Sequence, residues 1–351
     1  MKISYMLKRE DFYTINENTL KTYYRDSQTP TRLYIYPALN AIVTARPAKA
    51  VRQYLYTEFR VSGSLLKRLL VRLYAALCLN SFGLLASRSI RLPADADAHT
   101  LIYPCNKKYR IFHFRENTVT VLGKDTFPTD DLQQEIRFRT GHTAPFIPGL
   151  VRSDASGYTE QIIDGQPVAR TGSRMGQLCD RAFGIWSEYI APHTQSVPAS
   201  QYAATLSEEL QALQAKAASL EKTYNRPLLT QLTQHLLAQL QTEEAIPVSL
   251  SHGDLQPGNL WVERHTDKLY IIDWESWHTR STWYDRALLY EQLRKQAGLA
   301  RFAATRDLTH ATVLLEDILF RLRELTTLPL HYGCREFDTY LQTLQGGIAH
   351  V

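Results

Sequence analysis

No two cysteines in this sequence stand close enough to clamp a metal ion. Cys78, Cys105, Cys179 and Cys334 form no CxxC pair and sit among apolar or mixed neighbours, which excludes a zinc finger or a disulfide framework and reads as buried thiols. Glycine-rich phosphate loops are missing as well, since neither GxGxxG nor GxxxxGK[ST] occurs. There is no internal repeat and no low-complexity tract, so neither a solenoid nor a disordered chain is expected. Charge of one sign is not concentrated: 40 Lys and Arg against 35 Asp and Glu give a net +5 spread along the chain. No basic stripe with interleaved aromatics occurs, so nucleic acid is not an expected partner. The opening MKISYMLKREDF carries charge where a signal peptide needs an apolar run, and a reducing cytoplasm is the expected location.

Long uncharged runs are also scarce. Residues 65 to 87 are strongly apolar, but Lys67, Arg68 and Arg72 break the first half and leave about fifteen uncharged residues, short for a membrane span. Two readings stay open: a helix buried against the protein, or a basic amphipathic helix lying peripherally on the inner face of a membrane.

What is present is 351 residues, 44% of them hydrophobic, enough for a sizeable core and two or three domains. The texture divides the chain into 1–98, an extension of unknown role; 99–165, short strands with one helix; and 166–351, mainly helical. TLIYP, YRIFHF and TVTVLGK are rich in β-branched and aromatic residues and separated by CNK and ENT, the pattern of a small antiparallel sheet. DDLQQEIRFR, with acids in its first turn, reads as a helix. Leucines at three- and four-residue spacing in LSEELQALQAKAASLEKTY and RPLLTQLTQHLLAQLQTEE predict amphipathic core helices.

The stretch that carries chemistry is SHGDLQPGNLWVERHTDKLYIIDWES, residues 251 to 276. LWVERHTDKLYIID reads as a hairpin. With Arg264 and Lys268 flanking a three-residue turn, antiparallel pairing sets Asn259 beside Asp273 at the open end. An amide and a carboxylate oxygen at one spot suit a nucleotide-bound magnesium ion. Asp254, on the loop just before, is then available to accept the proton of an attacking hydroxyl.

His252, Asp254 and Asn259, followed by Ile272-Asp273-Trp274-Glu275, form HxDxxxxN and a strand ending in IDWE. This resembles the catalytic loop and metal motif of the aminoglycoside phosphotransferase and choline kinase family, whose two-lobed α+β fold is similar to that of the protein kinases. The resemblance spans roughly residues 99 to 300 and implies ATP and Mg2+ between a small sheet lobe and a larger helical lobe. It implies Asp254 as base, Asn259 and Asp273 as magnesium ligands, and His252 as a brace for the loop. Asp285, at the start of a helix in WYDRALL, would help hold that loop. Further upstream, Lys124 at the end of TVTVLGK and Glu135 in LQQEIRF match the family's phosphate-contacting lysine and its helix partner. The backbone of Gln161, Ile162 and Ile163 would meet an adenine edge. The turn PCNKKY lacks the expected glycine, which leaves Lys107, Lys108 or nearby backbone N–H groups to take that part.

The acceptor is read less directly. A sugar or saccharide-precursor hydroxyl comes first, then an amino alcohol or aminoglycoside. Trp274, Trp277, Trp283 and Tyr284 could form a cage for a quaternary ammonium or pack the hairpin onto helices. Glu316, Asp317 and Glu324, interrupted by Arg321 and Arg323, read as a solvated helix face. The alternative function is a kinase-like protein that binds nucleotide or a partner without transfer, against which stand the intact Asp254, Asn259 and Asp273.

Overall fold

We describe residues 17–25, 30–58, 65–93, 96–105, 107–304, 309–328 and 333–349 in a computed structural model. The opening twelve residues discussed above, and the side chains of 65–68, lie outside that description. The chain divides into two compact units, Met1–Ile136 with Gly149–Ile162, and Arg137–Pro148 with Ile163–Val351.

In the first unit, apolar alternation builds a wholly antiparallel sheet. Its strands are β1 (Pro30–Tyr36), β2 (Ala41–Val43), β3 (Arg88–Pro93), β4 (Thr100–Pro104), β5 (Lys108–His113), β6 (Thr118–Gly123), β7 (Leu150–Ser153) and β8 (Gly157–Gln161), in the order β3-β1-β2-β4-β5-β6-β8-β7. Ile102 and Ile111 face one core, with Leu33, Ile35 and Ile90; their neighbours Leu101 and Phe112 face another, with Val51, Leu55, Cys78 and Leu79. Burial on both faces explains why these strands read as nearly continuous apolar runs. The three strands expected from TLIYP, YRIFHF and TVTVLGK are β4, β5 and β6, and the helix expected from DDLQQEIRFR is Asp130–Gly141. The expected break at residue 98 instead falls within this sheet: β2 pairs with β4, Ile42 opposite Ile102. The stretch read as a separate extension therefore supplies three strands of the same sheet. Its helix Leu65–Asn80 packs on the core that holds Val51 and Leu55 through Ala75, Cys78 and Leu79.

In the second unit, leucine spacing sets the core. The helix Ala199–Ser219 buries Tyr202, Leu206, Leu210, Leu213 and Ala217, and the helix Arg226–Leu240 buries Leu229, Leu232, Leu236 and Leu240. Each fully buried leucine stabilises by roughly 1.5–3 kcal/mol. The second of these helices starts where the Asn225 side chain accepts from Leu228 N–H at 3.1 Å, with proline in its first turn. Two three-stranded sheets carry the remainder: β10 (Gln195–Pro198), β11 (Ala245–Ser251) and β14 (His278–Ser281) in one, β13 (Leu269–Ile271), β12 (Leu260–Glu263) and β9 (Gly165–Pro167) in the other.

Candidate functional site

Strand β11 delivers Ser251 to a loop whose shape depends on one glycine and one buried acid. Gly253 has φ +77, and a Cβ there would come within 2.0 Å of the Ser276 carbonyl oxygen, so a side chain is excluded on both counts. Asp285, buried in the short helix Tyr284–Tyr290, accepts from the Ser251 hydroxyl at 3.0 Å, the His252 N–H at 2.9 Å, the Gly253 N–H at 3.2 Å and the Trp186 indole N–H at 3.0 Å. Burial pushes its carboxyl above the usual range, although His252 and these donors pull it back.

His252 is fully buried against the Trp274 ring, centroids 4.5 Å apart. Its Nε2 lies 3.0 Å from the Ile272 carbonyl oxygen, and its Nδ1 lies 3.2 Å from the Asp254 backbone nitrogen, which donates to it. With Nδ1 accepting, Nε2 is the ring nitrogen that donates to the Ile272 carbonyl. His252 thereby joins the Asp254 loop to the strand that ends at Asp273 and acts as a positioning residue.

The hairpin differs by one residue from its expected register. Leu260 faces Ile271 and Val262 faces Leu269, and the Glu263 N–H bonds the Lys268 carbonyl at 2.9 Å. The turn thus holds residues 264–267 rather than three residues, closed by Asp267 at φ 56 with its N–H on the Glu263 carbonyl. Asn259 accordingly stands opposite Ile272, whose N–H bonds the Asn259 carbonyl at 3.0 Å. Asp273 comes one residue later and is itself left-handed, φ 70 and ψ 58. A non-glycine residue held there is strained, a feature that concentrates at functional sites.

Around Asp254 the side chains are arranged for electrostatics. Its carboxylate accepts from the Gln256 amide at 2.5 Å and from the Asn259 amide at 3.0 Å, and keeps 24% of its side chain exposed. The Asn259 Nδ2 also donates to the Asp254 carbonyl at 2.8 Å. Two pure acceptors thus fix that amide's orientation and turn Oδ1 away from Asp254. Arg294 lies 3.5 Å from the Asp254 carboxylate, donates to the Gly253 carbonyl at 2.9 Å and pairs with buried Asp317 at 2.7 Å. Burial raises the Asp254 pKa above the usual carboxylate value; Arg294, His252 and Gln256 oppose this and the nearby Asp273 charge adds to it.

Glu135 is buried between the Lys108 ammonium at 3.2 Å and the Tyr158 hydroxyl at 2.9 Å. Lys124, equally buried, donates to the Cys105 carbonyl at 2.7 Å and lies 5.2 Å from the Tyr109 ring centre; burial brings its pKa down to about 8. Lys108, one of two lysines in the glycine-free turn region, is thus a cation set against Glu135. Gln161 pairs with Thr118, the Ile162 N–H donates to the Asn117 carbonyl at 3.0 Å, and the Ile163 carbonyl accepts from Gly165 at 2.9 Å. Two of the backbone groups expected to meet an adenine edge are therefore engaged within the protein.

Two readings of side-chain clusters change. Trp274 and Trp277 pack with Phe138 and Trp186, whereas Trp283 and Tyr284 pack in the leucine core, so the four do not share one cage. Glu316 and Asp317, read as a solvated face, are both fully buried. Glu316 accepts from the Ser281 N–H and hydroxyl and from the Tyr202 hydroxyl; Asp317 is paired with Arg294 and Arg321. Arg294 and Asp317 did not emerge from the motif, but a signal exists. The helix Thr309–Thr327 is apolar at 311, 313, 314, 315, 318, 319, 322 and 325, nearly all round, so acids inside it must be buried and paired.

Residues 167–313 match the model of the phosphotransferase enzyme family. No curated protein matches the chain. Among solved structures, it resembles a choline/ethanolamine kinase family protein from Mesorhizobium loti at 12% identity over 72% of this chain and 91% of that one, TM-score 0.45. It also resembles the choline kinase LicA from Streptococcus pneumoniae at 13% identity over 72% and 91%, TM-score 0.45. For the GDP complex of aminoglycoside 2'-phosphotransferase-IIIa the identity is 18% over 79% and 97%, TM-score 0.40. The matched segment 167–313 contains His252, Asp254, Asn259, Asp273 and Asp285, and small-molecule phosphotransfer is the chemistry that this match supports.

Proposed function

With a phosphotransferase-family segment at 167–313 as the premise, we propose that this protein transfers the γ-phosphoryl group of ATP to a hydroxyl of a small molecule. The observation that carries this is the state of Asp254: a partly exposed carboxylate with its pKa raised, held by two side-chain amides on a loop that Asp285 shapes. A base needs such a carboxylate, more basic than an ordinary aspartate. Asp254 orients the acceptor hydroxyl and takes its proton, while Arg294 limits how far the carboxylate's pKa rises. Asn259 Oδ1 and the Asp273 carboxylate are hard oxygen donors, and they would hold the magnesium ion, which neutralises charge on the nucleotide phosphates when bound. Lys124, Glu135 and the backbone of Gln161, Ile162 and Ile163 remain the proposed nucleotide contacts, joined by Lys108.

A saccharide hydroxyl is the proposed acceptor, ahead of an amino alcohol or an aminoglycoside. What supports this order is that the four aromatics divide between two cores and that Glu316 and Asp317 are engaged inside the protein. Neither feature is left to bind a cationic acceptor.

The test is magnesium-dependent ATP consumption against sugars, amino alcohols and aminoglycosides, with intact protein and Asp254→Ala. Turnover on one acceptor should fall by about 10²–10⁴-fold in the variant. For the intact protein, kcat/KM should fall on acidification through a pKa above the ordinary aspartate value, because the base must be deprotonated. Turnover unaffected by Asp254→Ala would remove the assigned base. Absence of magnesium-dependent ATP binding would favour the non-catalytic alternative.

A further inference from the structure

Twelve large apolar side chains stand exposed among the described residues, and eight of them lie between Leu69 and Leu85. The helix Leu65–Asn80 turns Ala75, Cys78 and Leu79 into the core and Leu69, Leu73 and Leu77, four residues apart, to solvent. The following turn continues the stripe with Phe82, Leu84 and Leu85, of which Leu84 is 87% exposed. Nothing in an isolated fold favours such a surface, and contiguous patches of this kind mark a surface that meets another apolar phase.

The charge around the stripe selects the phase. From Phe59 to Ala94 the sequence holds six basic residues and no acidic one. Arg72, Arg88 and Arg91 are exposed, as is Arg46, whose guanidinium lies 4.7 Å over the Phe82 ring. Apolar side chains flanked by these arginines match a bilayer with anionic headgroups, where leucines enter the acyl boundary and arginines meet phosphates. A second copy of the chain is a poor match, because a two-fold contact would set these like charges against one another. No helix among the described residues is long and apolar enough to cross a membrane. We infer that the face formed by helix Leu65–Asn80 and the turn at 81–85 docks peripherally on an anionic membrane surface.

The test is flotation of the full chain with vesicles of phosphatidylcholine, alone or with about one-third phosphatidylglycerol. Intact protein should float with the anionic vesicles and be partly released by salt. Leu73→Ser with Leu77→Ser should lower the partition coefficient about a hundredfold, roughly tenfold per inserted leucine. Both positions are exposed, so thermal unfolding of the variant should match that of the intact protein. The inference fails if the intact protein stays below the vesicles, or if the double variant floats equally well. It fails too if sedimentation velocity shows a dimer that the variant converts to monomer, which would give this face to a second copy. ATP turnover without vesicles is read separately, and neither leucine belongs to the proposed site, so failure here leaves the phosphotransferase reading intact.

Discussion

Asp254 and Asp285 are both carboxylates whose pKa burial raises, and they meet in the same loop, yet their surroundings differ in kind. Asp285 is 3% exposed and takes donors from two backbone N–H groups, a hydroxyl and an indole. The His252 N–H, the Ser251 hydroxyl and the Trp186 indole are held by the main chain and the core, and the Gly253 N–H is shared between Asp285 and the Ser251 Oγ at 3.0 Å. Asp254 is held by two side-chain amides, of which Gln256 can rotate toward a ligand, and its cation Arg294 is already engaged by Asp317. A carboxylate surrounded by immovable donors shapes the protein, whereas one surrounded by movable donors can exchange partners with a substrate.

This contrast can be broken most directly by stability measurements. Asp285→Ala should cost roughly 3–5 kcal/mol in denaturant unfolding, because it strands the His252 N–H, the Ser251 hydroxyl and the Trp186 indole inside the protein. Asp254→Ala should stay within about 1 kcal/mol of the intact protein despite its loss of turnover. Equal destabilisation by the two would erase the distinction. Glu316 provides a third buried carboxylate of the engaged kind, with a pKa raised from 4.5 to about 7 by burial against the pull of Arg280. Its folded form keeps a proton that the unfolded chain releases, so its contribution makes stability fall as pH rises from 4.5 to 7. The difference between the intact protein and Glu316→Gln should therefore change by on the order of 3 kcal/mol across that window; a flat difference would mean that Glu316 stays ionised. Gly253→Ala tests the loop that joins the two aspartates. It should cost about 2 kcal/mol and reduce turnover with it, since the Ser276 carbonyl must move; full activity would show that the loop tolerates a shift.

Much of this arrangement is legible in the sequence. Strands β4, β5 and β6 followed from β-branched and aromatic runs, and the hairpin that brings Asn259 toward Asp273 followed from its turn and flanking strands. The one-residue register error arose because Asp267 adopts a left-handed conformation, which local patterning does not distinguish from a shorter turn. The join between β2 and β4 stayed hidden because which strands become neighbours in a sheet is set by tertiary packing. Arg294 was hidden for a related reason: it reaches Gly253 from 41 residues away, and it pairs with Asp317 on a helix apolar nearly all round.

The Asp285 contacts also impose an order on assembly. Trp186 lies 99 residues before Asp285, and Ser251 lies 34 before it. On a ribosome, the segment carrying Asp254 emerges well ahead of the acid that shapes it. A nascent chain that ends before residue 285 can hold every member of the HxDxxxxN motif and still have no organised loop, so the capacity for chemistry arrives late in synthesis.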